Sequence, residues 1–138
     1  MIGKRLRQRV ARQAQFRCGY CQTQEIVSGV PLTLEHIIPK ARGGKDVEAN
    51  LWSSCRLCNE DKGILTEAID PDTATTVRIF NPRLDDWNVH FAWSIEGTIV
   101  IGLTAIGRAT INALDLNSSF RVASRKLWVE AGYHPPSE

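Results

Sequence analysis

Residues 34–63 read LEHIIPKARGGKDVEANLWSSCRLCNEDKG, and the order of residue types along them predicts two short strands followed by a helix. Leu32–Ile38 is rich in branched apolar residues and predicts a strand, which Pro39 ends because proline brings no N–H to a ladder. A polar loop follows, with Lys40, Arg42 and Lys45 around a flexible Gly43-Gly44. Asn50-Leu51-Trp52-Ser53 predicts a second short strand, and Cys55-Arg56-Leu57-Cys58 a tight knuckle. The helix is expected to begin near Cys58 and to run to about Ala68, before Asp70-Pro71-Asp72 breaks the chain.

Upstream, Cys18-Gly19-Tyr20-Cys21 repeats the knuckle pattern. The chain has 4 cysteines, all in these two pairs. The N-terminus is polar and basic and lacks the apolar centre of a signal peptide, so a reducing, cytoplasmic setting is expected. There, paired cysteines favour a metal over disulfides. Zinc prefers four tetrahedral ligands and accepts thiolates, and each CxxC turn lets two sulfurs converge on one ion. Iron in a rubredoxin-like site, or four buried free thiols, are the alternatives. Four thiolates close the shell and leave no place for water, so the zinc is expected to be structural. Such sites contribute on the order of 10 kcal/mol in small peptides.

The 138 residues are 43% hydrophobic, enough to bury a core. No apolar run approaches the roughly 20 residues of a membrane helix, and no membrane is expected as a partner. Of the 17 basic and 15 acidic residues, Lys4, Arg5, Arg7, Arg9, Arg12 and Arg17 lie in residues 1–24 without an acid. A basic arm on a mildly acidic body points to an anionic partner. Residues 3–15 predict a helix, because Leu6, Val10 and Ala14 recur on one face. Farther on, Val77–Phe80 predicts a strand, and Phe91–Ser94 with Thr98–Gly102 a hairpin around Glu96-Gly97. Thr104 is expected to cap a helix over 105–115, and Asn117 another over 118–131. His90 is expected to be structural and His134 exposed, while the tryptophans belong to the core, Trp52 under the first hairpin. The expected fold class is α+β, with residues 1–69 as one domain and 70–138 as a C-terminal extension packed on it.

Glu35-His36-Ile37-Ile38-Pro39, Gly43-Gly44, Asn50-Leu51, Cys55-x-x-Cys58-Asn59 and Lys62, taken with Cys18 and Cys21, closely resemble the HNH endonuclease family in its zinc-containing branch. The resemblance covers roughly residues 18–63. It implies a ββα-metal core, a hairpin packed on a helix with a catalytic metal between them. It implies His36 as the general base that takes a proton from water, and Asn50 as the residue that orients the His36 ring. Glu35 stands where the family usually has aspartate, as one metal ligand, and Asn59 matches the other. Mg²⁺ or Mn²⁺ is the catalytic metal this resemblance implies.

The chemistry stands on its own terms. Histidine suits a general base because its unperturbed pKa of roughly 6.5 lies near working pH. One carboxylate and one amide oxygen suit a hard cation and leave positions open for phosphate and water. Adjacent residues of a regular strand point to opposite faces. Glu35 and His36 are therefore expected to share a site through a strong twist or a bulge.

The function expected is metal-dependent hydrolysis of DNA phosphodiesters. Duplex DNA is the expected partner, held through phosphates by Lys4, Arg5, Arg9, Arg12, Lys40, Arg42, Lys45 and Lys62. No base-reading motif is evident, so low sequence specificity is expected, with room for a protein partner to supply it. The alternative is a zinc-dependent nucleic-acid-binding module without catalysis, which leaves the joint presence of Glu35, His36, Asn50 and Asn59 unexplained.

Overall fold

A computed structural model of the chain describes residues 2–137. Among the described residues the fold is α+β, built from helices and three separate two-stranded antiparallel sheets. Among the described residues no helix is long and apolar enough to cross a membrane. The chain forms two compact units. The first runs to Thr66 and takes in Asn81–Asp85, and the second comprises Glu67–Phe80 and the chain from Asp86 onward.

The first unit opens with α1, Lys4–Gln13. Its apolar face is the one read from the sequence, with Val10 and Ala14 buried. A short helix α2, Glu25–Ser28, follows the first knuckle. Strands β1, Thr33–His36, and β2, Leu51–Ser54, pair antiparallel, with Glu35 opposite Trp52 and His36 opposite Leu51. The knuckle is bound to this hairpin through Gly19 N–H, which donates to Ser53 O at 2.9 Å. A Cβ on Gly19 would stand 2.4 Å from Trp52 and 2.7 Å from Pro82, so only glycine allows so close an approach. Trp52 is covered by the Arg83 guanidinium at 4.9 Å, and Arg83 also donates to Leu51 O at 3.0 Å.

Helix α3, Arg56–Lys62, starts where the Cys55 sulfur accepts from Cys58 N–H at 3.4 Å. It is shorter than the sequence led us to expect. Gly63 takes a φ of +51°, which turns the chain out of the helix, and Ala68 lies in a strand instead. Strands β1 and β2 with α3 make a ββα unit.

In the second unit, β3, Glu67–Ile69, pairs with β4, Thr76–Arg78. Asp70-Pro71-Asp72 forms the turn between them. The buried Asp70 carboxylate accepts from Asp72 N–H at 3.0 Å and Thr73 Oγ1 at 2.8 Å, and from both arms of the Arg108 fork at 3.0 and 2.9 Å. A short helix α4, Trp87–His90, leads into the expected hairpin of β5, Phe91–Trp93, and β6, Val100–Gly102. Thr104 caps α5, Ala105–Ala113, as expected, by accepting from Gly107 N–H at 3.0 Å.

Helix α6, Ser119–Glu130, is capped by Ser118 rather than Asn117. Asn117 instead bonds both backbone groups of Val100, at 2.8 Å each. Its amide carries a donor and an acceptor, which match a strand's exposed N–H and C=O better than a helix N-terminus, where only N–H groups await partners. His90 is structural, held to Thr104 Oγ1 at 2.6 Å. His134 is buried, not exposed, with its ring edge-on to Trp93 at 4.5 Å and to Trp128 at 5.8 Å.

Candidate active site and metal centre

The two knuckles bring Cys18, Cys21, Cys55 and Cys58 together, with all four sulfurs within 4.8 Å of one another. Cys21 and Cys55 Sγ lie 3.6 Å apart. A tetrahedral zinc with Zn–S near 2.3 Å separates its sulfurs by roughly 3.8 Å, so the quartet matches that geometry. Backbone N–H groups point at the sulfurs, from Tyr20 to Cys18 and from Cys58 to Cys55, each at 3.4 Å. Burial pushes the Cys18 and Cys58 thiols well up, whereas hydrogen bonds from its neighbours pull Cys21 well down. Four sulfurs so placed offer the donor set of a tetrahedral zinc.

The second site lies at the end of β1. A cavity of about 220 Å³ is lined by Glu35, His36, Lys40, Asn59, Lys62 and Gly63, with Leu34 and Pro39 completing its wall. Three of the four residues expected to act in the reaction, Glu35, His36 and Asn59, thus meet in one place. The pairing of β1 with β2 runs unbroken to His36, so no bulge brings Glu35 and His36 together. They share the cavity because the strand ends at His36 and the cavity continues past that end to Pro39 and Lys40.

Glu35 is 3% exposed. Its Oε1 accepts from the Tyr20 hydroxyl at 3.1 Å and pairs with Lys62 Nζ at 3.1 Å. Its Oε2 is buried and has no hydrogen-bond partner. Burial pushes the Glu35 carboxyl up, and Lys62 and Tyr20 pull it part of the way back. A buried carboxylate oxygen without a partner is costly unless something positive meets it. With the Asn59 amide on the same cavity wall, the donor set suits a hard divalent cation.

His36 presents Nε2 to Asp46 Oδ1 at 2.6 Å, and Lys40 holds the other Asp46 oxygen at 3.3 Å. The His36 hydrogen bond, with Lys40 behind it, holds the Asp46 carboxyl below its usual range, so it is ionised and can only accept. Nε2 must then carry the hydrogen, and the lone pair of neutral His36 sits on Nδ1. Asp46 is a partner of the candidate site that sequence reasoning missed, because nothing in a polar loop distinguishes one aspartate from another. Tyr20, read only as part of a turn, is a second.

Asn50 does not bond to the His36 ring. Its Oδ1 accepts from Ile38 N–H at 2.8 Å, and its Nδ2 donates to Ile38 O at 3.0 Å and Lys45 O at 3.1 Å. It therefore closes the loop between β1 and β2 on itself. The glycines serve this closure rather than flexibility. Gly43 takes a φ of +89°, and a Cβ on Gly44 would stand 1.7 Å from Ile38 O.

The basic residues divide into two groups. Lys4, Arg5, Arg7 and Arg12 are exposed on α1, and Lys45 is exposed on the loop. Arg9 is spent on Glu48, at 2.8 and 3.0 Å, and with Gln13 it holds the Glu48 carboxyl at about 2. Arg42 donates to Ile64 O at 2.6 Å. Lys62, expected against phosphate, is 2% exposed, and its ammonium reaches Glu35, Ile37 O at 2.9 Å and His36 O at 3.3 Å. All three of its donors are used inside the protein.

The family model described as HNH endonuclease matches residues 18–64. No curated protein and no solved structure matches the chain.

Proposed function

We propose that the HNH segment at residues 18–64 is an active, metal-dependent nuclease that hydrolyses DNA phosphodiesters. The observation that carries this reading is the cavity lined by Glu35, His36 and Asn59, together with a Glu35 Oε2 that is buried and unpartnered. A binding module without catalysis has no use for a buried carboxylate kept short of a partner.

Glu35 Oε2 and the Asn59 amide oxygen would hold Mg²⁺ or Mn²⁺, which supplies positive charge for the scissile phosphate and the leaving oxygen. The remaining steps belong to the chain. Asp46 keeps the hydrogen of His36 on Nε2, so Nδ1 is the nitrogen left to act as the base. Nδ1 takes the proton as the water oxygen bonds to phosphorus. The bond from phosphorus to the leaving sugar oxygen breaks, and that oxygen is protonated from solvent. Asn50 keeps the loop closed so that His36 does not drift. Lys4, Arg5, Arg12 and Lys45 hold the phosphate backbone without reading bases, which gives salt-sensitive affinity and low sequence specificity.

Nicking of supercoiled plasmid tests the reading, with wild type and His36→Ala in Mg²⁺, Mn²⁺ and EDTA. Cleavage that needs added metal and falls by a factor of about 100 or more in the variant is the expected result. Zinc-loaded, folded wild type that binds DNA but cuts with neither metal would establish the binding module instead.

A further inference from the structure

Tyr20 lies between the two sites just described. It sits inside the first cysteine knuckle, two residues after Cys18 and one before Cys21, and it is fully buried. Its hydroxyl crosses from there to Glu35 Oε1 at 3.1 Å. Lys62 Nζ meets the same oxygen at 3.1 Å from the opposite end of α3, anchored by the carbonyls of His36 and Ile37. One oxygen of Glu35 is therefore held twice, and the other not at all.

From this asymmetry we infer that Tyr20 is a positioning residue for the catalytic metal: it fixes Glu35 through Oε1, so that Oε2 alone is presented to the cation. The inference rests on the nuclease reading above. A carboxylate free to turn can offer both oxygens, whereas one pinned at Oε1 offers a single ligand atom in a fixed direction. Partners of this kind orient metal ligands and commonly change affinity by about 10–100-fold when removed. Fixed single-oxygen coordination suits Mg²⁺ and Mn²⁺ over Ca²⁺, which accepts two oxygens of one carboxylate and looser geometry. The arrangement also explains a glutamate at position 35. Its extra methylene reaches from β1 both to the Tyr20 hydroxyl and to the cavity, whereas an aspartate at that position would fall short of the hydroxyl. The knuckle that the thiolates close is in this way the floor on which the catalytic carboxylate stands.

The experiment is Mn²⁺ binding, followed by loss of the free-ion paramagnetic resonance signal, on zinc-loaded wild type, Tyr20→Phe, Glu35→Asp and the double variant, without DNA. Tyr20→Phe removes only the hydroxyl and keeps the ring, and zinc content checks that the knuckle is intact. We expect Tyr20→Phe to bind Mn²⁺ about tenfold more weakly and to lose preference for Mn²⁺ over Ca²⁺ in competition. We expect its effect to shrink below twofold in the Glu35→Asp background, because Tyr20 then has nothing to act through. Tyr20→Phe within twofold of wild type, or an equal loss in both backgrounds, would overturn the inference and leave the nuclease reading standing. Wild type that binds no Mn²⁺ in a Glu35-dependent way would overturn both.

Discussion

Lys62→Met is the substitution whose cost follows most directly from the structure. The ammonium and the Glu35 carboxylate are each 2% exposed at the side chain and lie 3.1 Å apart. Methionine keeps the stem of the lysine and removes its charge. Glu35 is then left as an uncompensated buried anion, a loss of about 3–5 kcal/mol where such pairs are broken on one side. The carbonyls of His36 and Ile37 also lose a donor, which keeps the figure toward the upper end. Against a total stability of roughly 5–15 kcal/mol this is a large fraction. With a urea slope of about 2 kcal/mol per molar, the midpoint falls by about 2 M.

The assay is equilibrium urea unfolding with zinc release as the probe, since the cysteines report on the first unit alone. The pH dependence has a definite sign. Burial raises the Glu35 carboxyl and Lys62 opposes that rise, so without Lys62 it titrates higher still in the folded protein. A folded-state value above the unfolded one is a penalty that grows as pH rises through it. The deficit of Lys62→Met relative to wild type therefore widens from pH 5 to pH 8. A midpoint shift below 0.5 M (about 1 kcal/mol on the same slope) at pH 8, or a deficit that narrows with rising pH, would refute the buried pair.

Three further outcomes are expected. Gly44→Ala sets a Cβ 1.7 Å from Ile38 O and must open the loop that Asn50 closes; plasmid nicking should fall about 100-fold while zinc content is unchanged. Asp46→Asn leaves Nε2 without its anionic acceptor, and single-turnover cleavage should slow about tenfold with Mn²⁺ affinity unaltered, whereas an unchanged rate would remove Asp46 from the mechanism. Asp70→Asn should lower stability at pH 7, because Arg108 holds the Asp70 carboxyl well below its ordinary 3.8. The contribution of a depressed carboxylate is complete above that ordinary value and is lost as pH falls through the folded one, so thermal melts of variant and wild type should converge only below 3.8.

What the sequence disclosed and what it withheld divide by the range of the interaction. The doubled CxxC, a short strand ahead of Pro39 (though it ends at His36), the stripe of Val10 and Ala14 and the Thr104 cap are local patterns, and each was readable where it stands. Gathering Glu35, His36 and Asn59 at one cavity was readable through resemblance, since Asn59 stands far along the chain from the adjacent Glu35 and His36. The use made of polar side chains was not readable. Lys62 carries the same charge as Lys45, yet one is buried against a carboxylate and the other faces solvent. Asn50 was expected to orient the His36 ring and Asn117 to cap a helix, and both instead clasp backbone groups of another segment. Tyr20 gave no signal, because its target lies 15 positions away along the chain.

The small segment Asn81–Asp85 has a bearing on how such a protein is cut, fused or recombined. Arg83, within it, roofs Trp52 and bonds to Leu51 O and Gln13, although the residues just before and after the segment belong to the other unit. The unit that carries both candidate sites is therefore not a contiguous cassette. A gene fragment ended after the last residue of the HNH match would encode every thiolate, the base and both proposed ligands, yet leave the back of Trp52 bare. Transplanting the activity into another scaffold, or splitting it into halves that reassemble on demand, calls for a graft of two pieces, the second only a few residues long.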